Sequence, residues 1–220
     1  MSVYSWSMKR ILIIGLIASG LAFNAQAQQV NGIAFLEKGS VQYQNKNYRE
    51  AFLSFNQAID ANPEYAEAYY MRGNAKKAFE DLHGAMKDFN KAIEIKPELA
   101  DAYFQRGNLK YNLQDYYGAI ADFSKSIEMN ENHQEAYYWR GLAKQQIEAY
   151  EDAINDCSKI IEMNPKNIDA FFLRGLLRIE HGQTEEGCLD LSKAGELGDI
   201  KAYEVIREKC NQKCFVREAY

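Results

Sequence analysis

Apolar and small side chains recur along this chain with the spacing of amphipathic helices. Within residues 66–80, six residues recur with the helical period of about 3.6: Ala68, Tyr69, Arg72, Gly73, Ala75 and Lys76. Glu80-Asp81 interrupts the pattern, which resumes at Ala85, Phe89, Ala92 and Ile93 and stops before Pro97. The segment therefore predicts two helices of about 14 residues joined by a tight turn. Proline follows the second helix because it cannot donate the next helical hydrogen bond.

The same pattern repeats along the chain with a 34-residue period. Glycine occupies one position of the repeat five times, at Gly39, Gly73, Gly107, Gly141 and Gly175. Alanine recurs in the same register at Ala51, Ala85, Ala119 and Ala153, and Gly187 takes its place in the fifth copy. The chain's only prolines, Pro63, Pro97 and Pro165, are separated by one period and by two periods. This spacing indicates one helix pair copied along the chain, in which each copy needs a neighbour to bury its apolar face.

The repeated glycine lies opposite one side chain of the second helix, which is Phe55, Phe89, Phe123, Cys157 or Leu191. Glycine within a helix costs about 1 kcal/mol relative to alanine. We interpret it as space that lets the two helices approach while the opposite side chain fills the gap. A glycine, an alanine, an aromatic and a proline at positions 8, 20, 24 and 32 of a 34-residue unit resemble the tetratricopeptide repeat (TPR) family.

The resemblance covers five units, residues 32–65, 66–99, 100–133, 134–167 and 168–201. It implies an all-α fold in which five antiparallel helix pairs stack into a right-handed solenoid, with a concave groove lined by the first helices. Residues 199–211 predict one further helix that caps the last unit, and residues 212–220 form a tail. Members of the family mostly bind proteins or peptides, although the fold alone names no partner.

Inner-face positions of the first helices are the second, fifth, sixth, ninth, twelfth and thirteenth of each unit, from helical geometry and from the resemblance. The candidate peptide-binding residues among them are Tyr43, Tyr70, Asn74, Phe104, Asn108, Tyr111, Tyr138, Trp139 and Phe172. Their rings offer contact area and their amides can bond the backbone of an extended peptide. In the alternative interpretation, some of these rings only pack against the next unit.

Acidic residues also occupy the predicted groove, and four of them, Glu67, Asp101, Glu135 and Asp169, lie in the first turn of a helix. A carboxylate there is favoured by about 0.3–1 kcal/mol, which explains part of the excess. The remaining excess of acidic residues in the groove predicts that a bound segment is neutral or basic. Carboxylate-clamp co-chaperones of the family need lysine and arginine at groove positions that are held here, on units two to four, by Tyr70, Glu135 and Trp139. We therefore expect no binding of a C-terminal Glu-Glu-Val-Asp tail.

Arginine precedes four of the glycines, and an aspartate follows each arginine sixteen positions later. Both residues lie about eight positions from the turn, so an antiparallel pair brings them level. The predicted structural pairs are Arg72–Asp88, Arg106–Asp122, Arg140–Asp156 and Arg174–Asp190. The alternative is a row of arginines for an anionic ligand. Lys38 and Ser54 occupy these positions in the first unit, which predicts that it lacks the pair.

All four cysteines lie in the last third of the chain. Cys188 and Cys210 flank the turn at Gly198-Asp199 by about ten and eleven residues, so an antiparallel cap predicts a Cys188–Cys210 disulfide. Cys157 replaces a core aromatic and is interpreted as a buried thiol. Cys214 is unassigned, and a Cys157–Cys214 bridge stays open.

Residues 1–27 differ from the repeats and have the pattern of a cleaved signal peptide. Lys9 and Arg10 precede an apolar run from Ile11 to Phe23, and Ala25-Gln26-Ala27 offers a small-x-small cleavage site. The run is short for a membrane span, although an uncleaved anchor is the alternative. We expect an exported protein of a Gram-negative bacterium, periplasmic or secreted, without a transmembrane segment after cleavage. The net charge of −5 argues against a nucleic-acid partner.

Sequence motifs for catalysis are missing. The three histidines, His83, His133 and His181, are isolated and have no metal-ligand spacing, and no phosphate loop or nucleophile elbow occurs. We expect no enzyme activity, no cofactor and no metal. The first hypothesis is an exported adaptor or scaffold that binds a protein or peptide segment in its groove. The alternatives are a structural subunit of a cell-envelope assembly that uses its convex face, and a carbohydrate- or peptidoglycan-binding module.

Overall fold

The computed structural model describes residues 31–210, and all regular secondary structure there is helical. Within these residues there are eleven α-helices, of which the first ten form five consecutive antiparallel pairs, and a final π-helical turn spans Ile206–Cys210. They are α1 (31–44), α2 (Tyr48–Ala61), α3 (Ala66–Ala78), α4 (Leu82–Ile95), α5 (Ala100–Asn112), α6 (Tyr116–Met129), α7 (Gln134–Gln146), α8 (Tyr150–Met163), α9 (Ile168–Glu180), α10 (Thr184–Glu196) and α11 (Ile200–Val205). The all-α prediction of five helix pairs and a capping helix is confirmed. The predicted signal peptide, the tail and Cys214 lie outside the described residues.

The turn inside each pair has one residue in the left-handed region. That residue is Lys46, Glu80, Gln114 or Glu148, with φ between 60° and 62°, or Gly182, with φ of 84°. A left-handed residue ends the first helix and redirects the chain. Asp81 and Asp115 then begin α4 and α6, where their carboxylates accept hydrogen bonds from the backbone N–H of the residue three positions on.

Two compact units make up the fold, and the first ends at Pro97. Its core is built around Phe55 of α2 and Phe89 of α4, both fully buried. A Cβ atom added to Gly39 would lie 2.5 Å from the Phe55 ring, and one added to Gly73 would lie 2.7 Å from the Phe89 ring. The close approach predicted from the glycine spacing is therefore present in both pairs of this unit.

The second unit begins at Glu98 and repeats this packing with one exception. A Cβ atom on Gly107 would lie 2.8 Å from the Phe123 ring, and one on Gly175 would lie 2.8 Å from Leu191. At Gly141 the nearest atom is 3.7 Å away, because the opposite residue is the small Cys157 rather than an aromatic. Gly141 is thus the one repeated glycine beside which a methyl group finds ordinary van der Waals contact.

The last helix closes the second unit. Ala202 of α11 is buried against Leu191 and Ala194 of α10. The predicted Cys188–Cys210 disulfide is present and links α10 to the end of the π-helical turn. Cys157 is a free, buried thiol. Burial, and next the nearby charge of Asp156, raise the pKa of this thiol to about 12.

Candidate functional site

Three candidate residues of the first unit lie half-buried on the first helices α1 and α3. The Tyr43 ring contacts that of Tyr48 at 5.2 Å between centroids, and burial raises the pKa of Tyr43. Tyr70 lies 6.1 Å from the core ring of Phe89, and Asn74 follows one helical turn later. Each of these side chains therefore combines support from the core with some exposed surface.

In the second unit, Tyr111 of α5 and Trp139 of α7 form a joined aromatic surface. Their rings are 5.4 Å apart in an edge-to-face arrangement, and Trp139 also contacts Tyr138 at 6.3 Å. All three rings are half-buried rather than enclosed. Edge-to-face pairs hold aromatic rings in defined orientations, so these residues present a fixed apolar surface on α5 and α7.

Phe104 lies in the core rather than on this surface. It is 6% exposed, and its ring contacts Phe123 at 5.8 Å and His133 at 4.7 Å. The alternative interpretation of the sequence, local packing, describes this residue. Phe172 keeps more exposed area, although it packs against the cluster around Leu191.

Asn108 supplies an unpaired acceptor on α5. Its Oδ1 atom is buried and has no hydrogen-bond partner within residues 31–210. A buried polar atom without a partner is uncommon in folded proteins and costs free energy.

An open cavity of about 300 Å³ lies where the first turns of α7 and α9 face α8. It is lined by Gln134, Glu135, Tyr138, Trp139, Ile160, Asn167 and Asp169. Burial raises the pKa of Tyr138, and the negative charge of Asp169 adds to that effect. The cavity therefore combines two candidate rings with two carboxylates.

The predicted Arg–Asp pairs form in all four repeats that carry both residues. Each arginine donates through Nε and Nη2 to both carboxylate oxygens of its aspartate at 2.6–3.0 Å. The four aspartates are 3–5% exposed. In the first repeat, residues 32–65, Ser54 instead donates to Gln42 at 2.7 Å. A bidentate pair of this kind joins the two helices of a unit with defined geometry.

A second cation beside each of these aspartates was not predicted from the sequence. Lys76, Lys110, Lys144 and Arg178 contact the same carboxylates at 2.6–2.8 Å. These cations recur with the period of the repeat, four positions after the arginine, so the signal was present in the spacing. Each buried carboxylate therefore pairs with two cations, and its oxygens are committed to structure rather than to a ligand.

The arginines also connect neighbouring pairs. Arg72 donates to Asn56 at 2.8 Å in the first unit, and in the second Arg140 donates to Ser124 at 2.9 Å. Each guanidinium lies 5.3–5.5 Å from the centre of an aromatic ring three residues earlier on its own helix. Their donors are occupied by protein groups, which argues against an arginine row for anions.

Residues 31–210 contain no group of three or more His, Cys, Asp or Glu side chains placed to hold a metal ion. None of the helices there is long and apolar enough to cross a membrane.

Comparisons with known proteins agree on one family. Tetratricopeptide repeat models match residues 34–65, 100–133 and 134–167, and a TPR repeat model matches residues 80–114. A search of curated proteins gave no match.

Solved structures share the fold at low sequence identity. YrrB, described as a TPR protein with an unusual peptide-binding site, superposes with a TM-score of 0.72 at 21% identity, over 84% of this chain and 97% of that one. A MamA structure gives a TM-score of 0.70 at 21% identity, over 79% and 94%. MamA from Desulfovibrio magneticus RS-1 gives 0.70 at 18% identity, over 76% and 94%.

Proposed function

Because this chain belongs to the tetratricopeptide repeat family, we propose that it is a protein-interaction module that holds an extended peptide segment on its first helices. One observation carries the proposal: Tyr111, Tyr138 and Trp139 support one another and still expose part of their rings beside an open cavity. Rigid aromatic side chains of this kind dominate binding energy at protein interfaces. TPR proteins are generally non-catalytic scaffolds, and the fold is shared with a peptide-binding TPR protein.

The charge of the module favours a neutral or basic segment. The chain carries 31 acidic and 26 basic residues. Glu135 and Asp169 lie at the cavity, and no Lys or Arg is among its lining residues. An acidic C-terminal tail of the type held by carboxylate-clamp proteins would meet repulsion here.

We also propose export to the periplasm or beyond. The charge and apolar pattern of residues 1–27 supports this proposal, and so does the Cys188–Cys210 disulfide, since disulfides persist in oxidising compartments. Intact-mass analysis of protein recovered from its native cell, without reductant, tests both points. Export predicts a chain that starts at Gln28 and lacks two thiol hydrogens. A chain that retains Met1 and four free thiols would contradict it.

The peptide-binding proposal is tested with a positional-scanning decapeptide library on the full chain. We expect Trp139→Ala to lose most of the bound peptide. The matched control is Tyr117→Ala, because Tyr117 is 75% exposed on α6, a second helix. Equal binding by wild type and the Trp139 variant, or no binding by wild type, would refute the proposal.

A further inference from the structure

The second position of each repeat from residue 66 onwards carries a carboxylate: Glu67, Asp101, Glu135 and Asp169. Within residues 31–210, Glu67 alone of these four takes part in an ion pair. In the first unit, Glu67 accepts from Lys96 at 2.6 Å. Burial of Glu67 opposes ionisation, but the Lys96 hydrogen bond and charge outweigh it and lower the pKa of that carboxyl. This lysine comes near the end of the same repeat, directly before Pro97.

In the second unit the equivalent lysine is missing. Asn164 holds the position relative to Glu135 that Lys96 holds relative to Glu67, and Gly198 holds it relative to Asp169. Within residues 31–210, neither Glu135 nor Asp169 takes part in an ion pair. A favourable interaction with the helix dipole explains why an acid occurs at this position, but not why its cation is absent.

Two of the three carboxylates without an ion pair, Glu135 and Asp169, border the same cavity as Tyr138 and Trp139. A ring face attracts a cation, and a carboxylate adds a charge-assisted hydrogen bond. The volume of about 300 Å³ is at the lower end of ligand pockets, which suits one long side chain better than a larger molecule. With no third carboxylate or imidazole among the lining residues, the site is poor for a metal ion.

We propose that this cavity selects one lysine or arginine side chain of the bound segment, with Glu135 and Asp169 as charge partners and Trp139 as the ring beneath the cation. The proposal rests on the peptide-binding function above and adds a position-specific preference to it. The cation supplied by Lys96 inside the first unit is supplied by the ligand in the second.

The test uses the same decapeptide library, in which each position is fixed in turn as Lys, Arg, norleucine or Glu. We expect wild type to prefer Lys or Arg over norleucine about tenfold at one position, and to disfavour Glu there. The double variant Glu135→Gln/Asp169→Asn loses this preference and still binds through its rings. Glu67→Gln is the matched control and keeps the preference, because its carboxylate is paired internally.

A second variant supplies the missing cation from within. Asn164 precedes Pro165 as Lys96 precedes Pro97, so the repeat accommodates lysine at this place. Asn164→Lys should pair with Glu135 and weaken the preference for a basic ligand.

A direct readout comes from Trp139. The chain has two tryptophans, so in Trp6→Phe the fluorescence of Trp139 reports on the cavity alone. It should respond to the Lys peptide at concentrations about tenfold lower than to the norleucine peptide. Equal preference in wild type and the double variant, or equal binding of Lys and norleucine peptides, overturns the inference and leaves peptide binding intact. Absence of any peptide binding overturns both.

Discussion

Gly141→Ala is expected to stabilise the protein, against the usual outcome of filling a buried helix position. Replacing glycine by alanine within a helix favours folding by about 1 kcal/mol. The added methyl group meets no atom nearer than 3.7 Å, and its burial contributes up to about 0.8 kcal/mol. The sum, about 1–2 kcal/mol, corresponds to a rise of roughly 2–8 °C in Tm for a chain of this size.

Gly107→Ala is the matched substitution with the opposite expected sign. It gains the same helix propensity, but its Cβ atom would lie 2.8 Å from the fully buried Phe123 ring. Displacing a packed side chain typically costs about 1–3 kcal/mol. We therefore expect Gly107→Ala to be less stable than Gly141→Ala by about 1–3 kcal/mol, and equal to or less stable than wild type.

Urea unfolding followed by circular dichroism at 222 nm, with the disulfide intact, measures both effects. Because helical repeats can unfold in stages, midpoints are compared only where the slopes agree. Cys157→Phe provides the decisive control, since it restores a ring opposite Gly141. In that background Gly141→Ala should become destabilising. Equal stabilisation by alanine at positions 107 and 141 would refute the packing argument.

Three further outcomes are expected. Asp156→Asn leaves two largely buried cations with a weaker acceptor and should lower the free energy of unfolding by about 2–3 kcal/mol, whereas Glu162→Gln, in an exposed ion pair, should leave the urea midpoint unchanged. Cys210→Ser should cost about 3 kcal/mol for a loop of 22 residues, and reducing the wild type should lower its Tm equally. The folded state holds the Cys157 proton more tightly than the unfolded state, so the contribution of this thiol is complete below pH 9 and is lost as pH rises towards 12. Urea midpoints should fall less over that interval in Cys157→Ala, and alkylation of Cys157 itself by iodoacetamide in the native protein at pH 8, located by peptide mapping, would contradict its burial.

The sequence was sufficient for the fold because its signals are local and repeated. A glycine opposite an aromatic sixteen positions later, and a proline after most second helices, specify a helix pair without knowledge of any distant contact. The Cys188–Cys210 disulfide was predictable for the same reason, since both cysteines flank a single turn.

The candidate site was less predictable than the fold, because the exposure of a side chain depends on which neighbouring residues pack over it. Phe104 and Tyr138 hold the same repeat position, yet Phe104 packs against His133 and is buried while Tyr138 borders a cavity. The spacing of Glu67 and Lys96, and the Asn164 that stands in place of the lysine beside Glu135, can be read from the sequence, but the contact between the Glu67 and Lys96 side chains depends on the fold.

The proposed ligand contact and the contacts that join the helices belong to neighbouring residues of the same helix. Trp139 contacts other rings and borders the cavity, whereas Arg140, about 100° further round α7, bonds Asp156 and Ser124. The sequence reflects this division. The position of Arg140 is arginine in four of five repeats, whereas the position of Trp139 holds Glu37, Met71, Gln105, Trp139 and Leu173. Side chains that join the helices are thus repeated, and the adjacent position is free to differ between units, which is how one repeat can present a distinct surface to a ligand at each step.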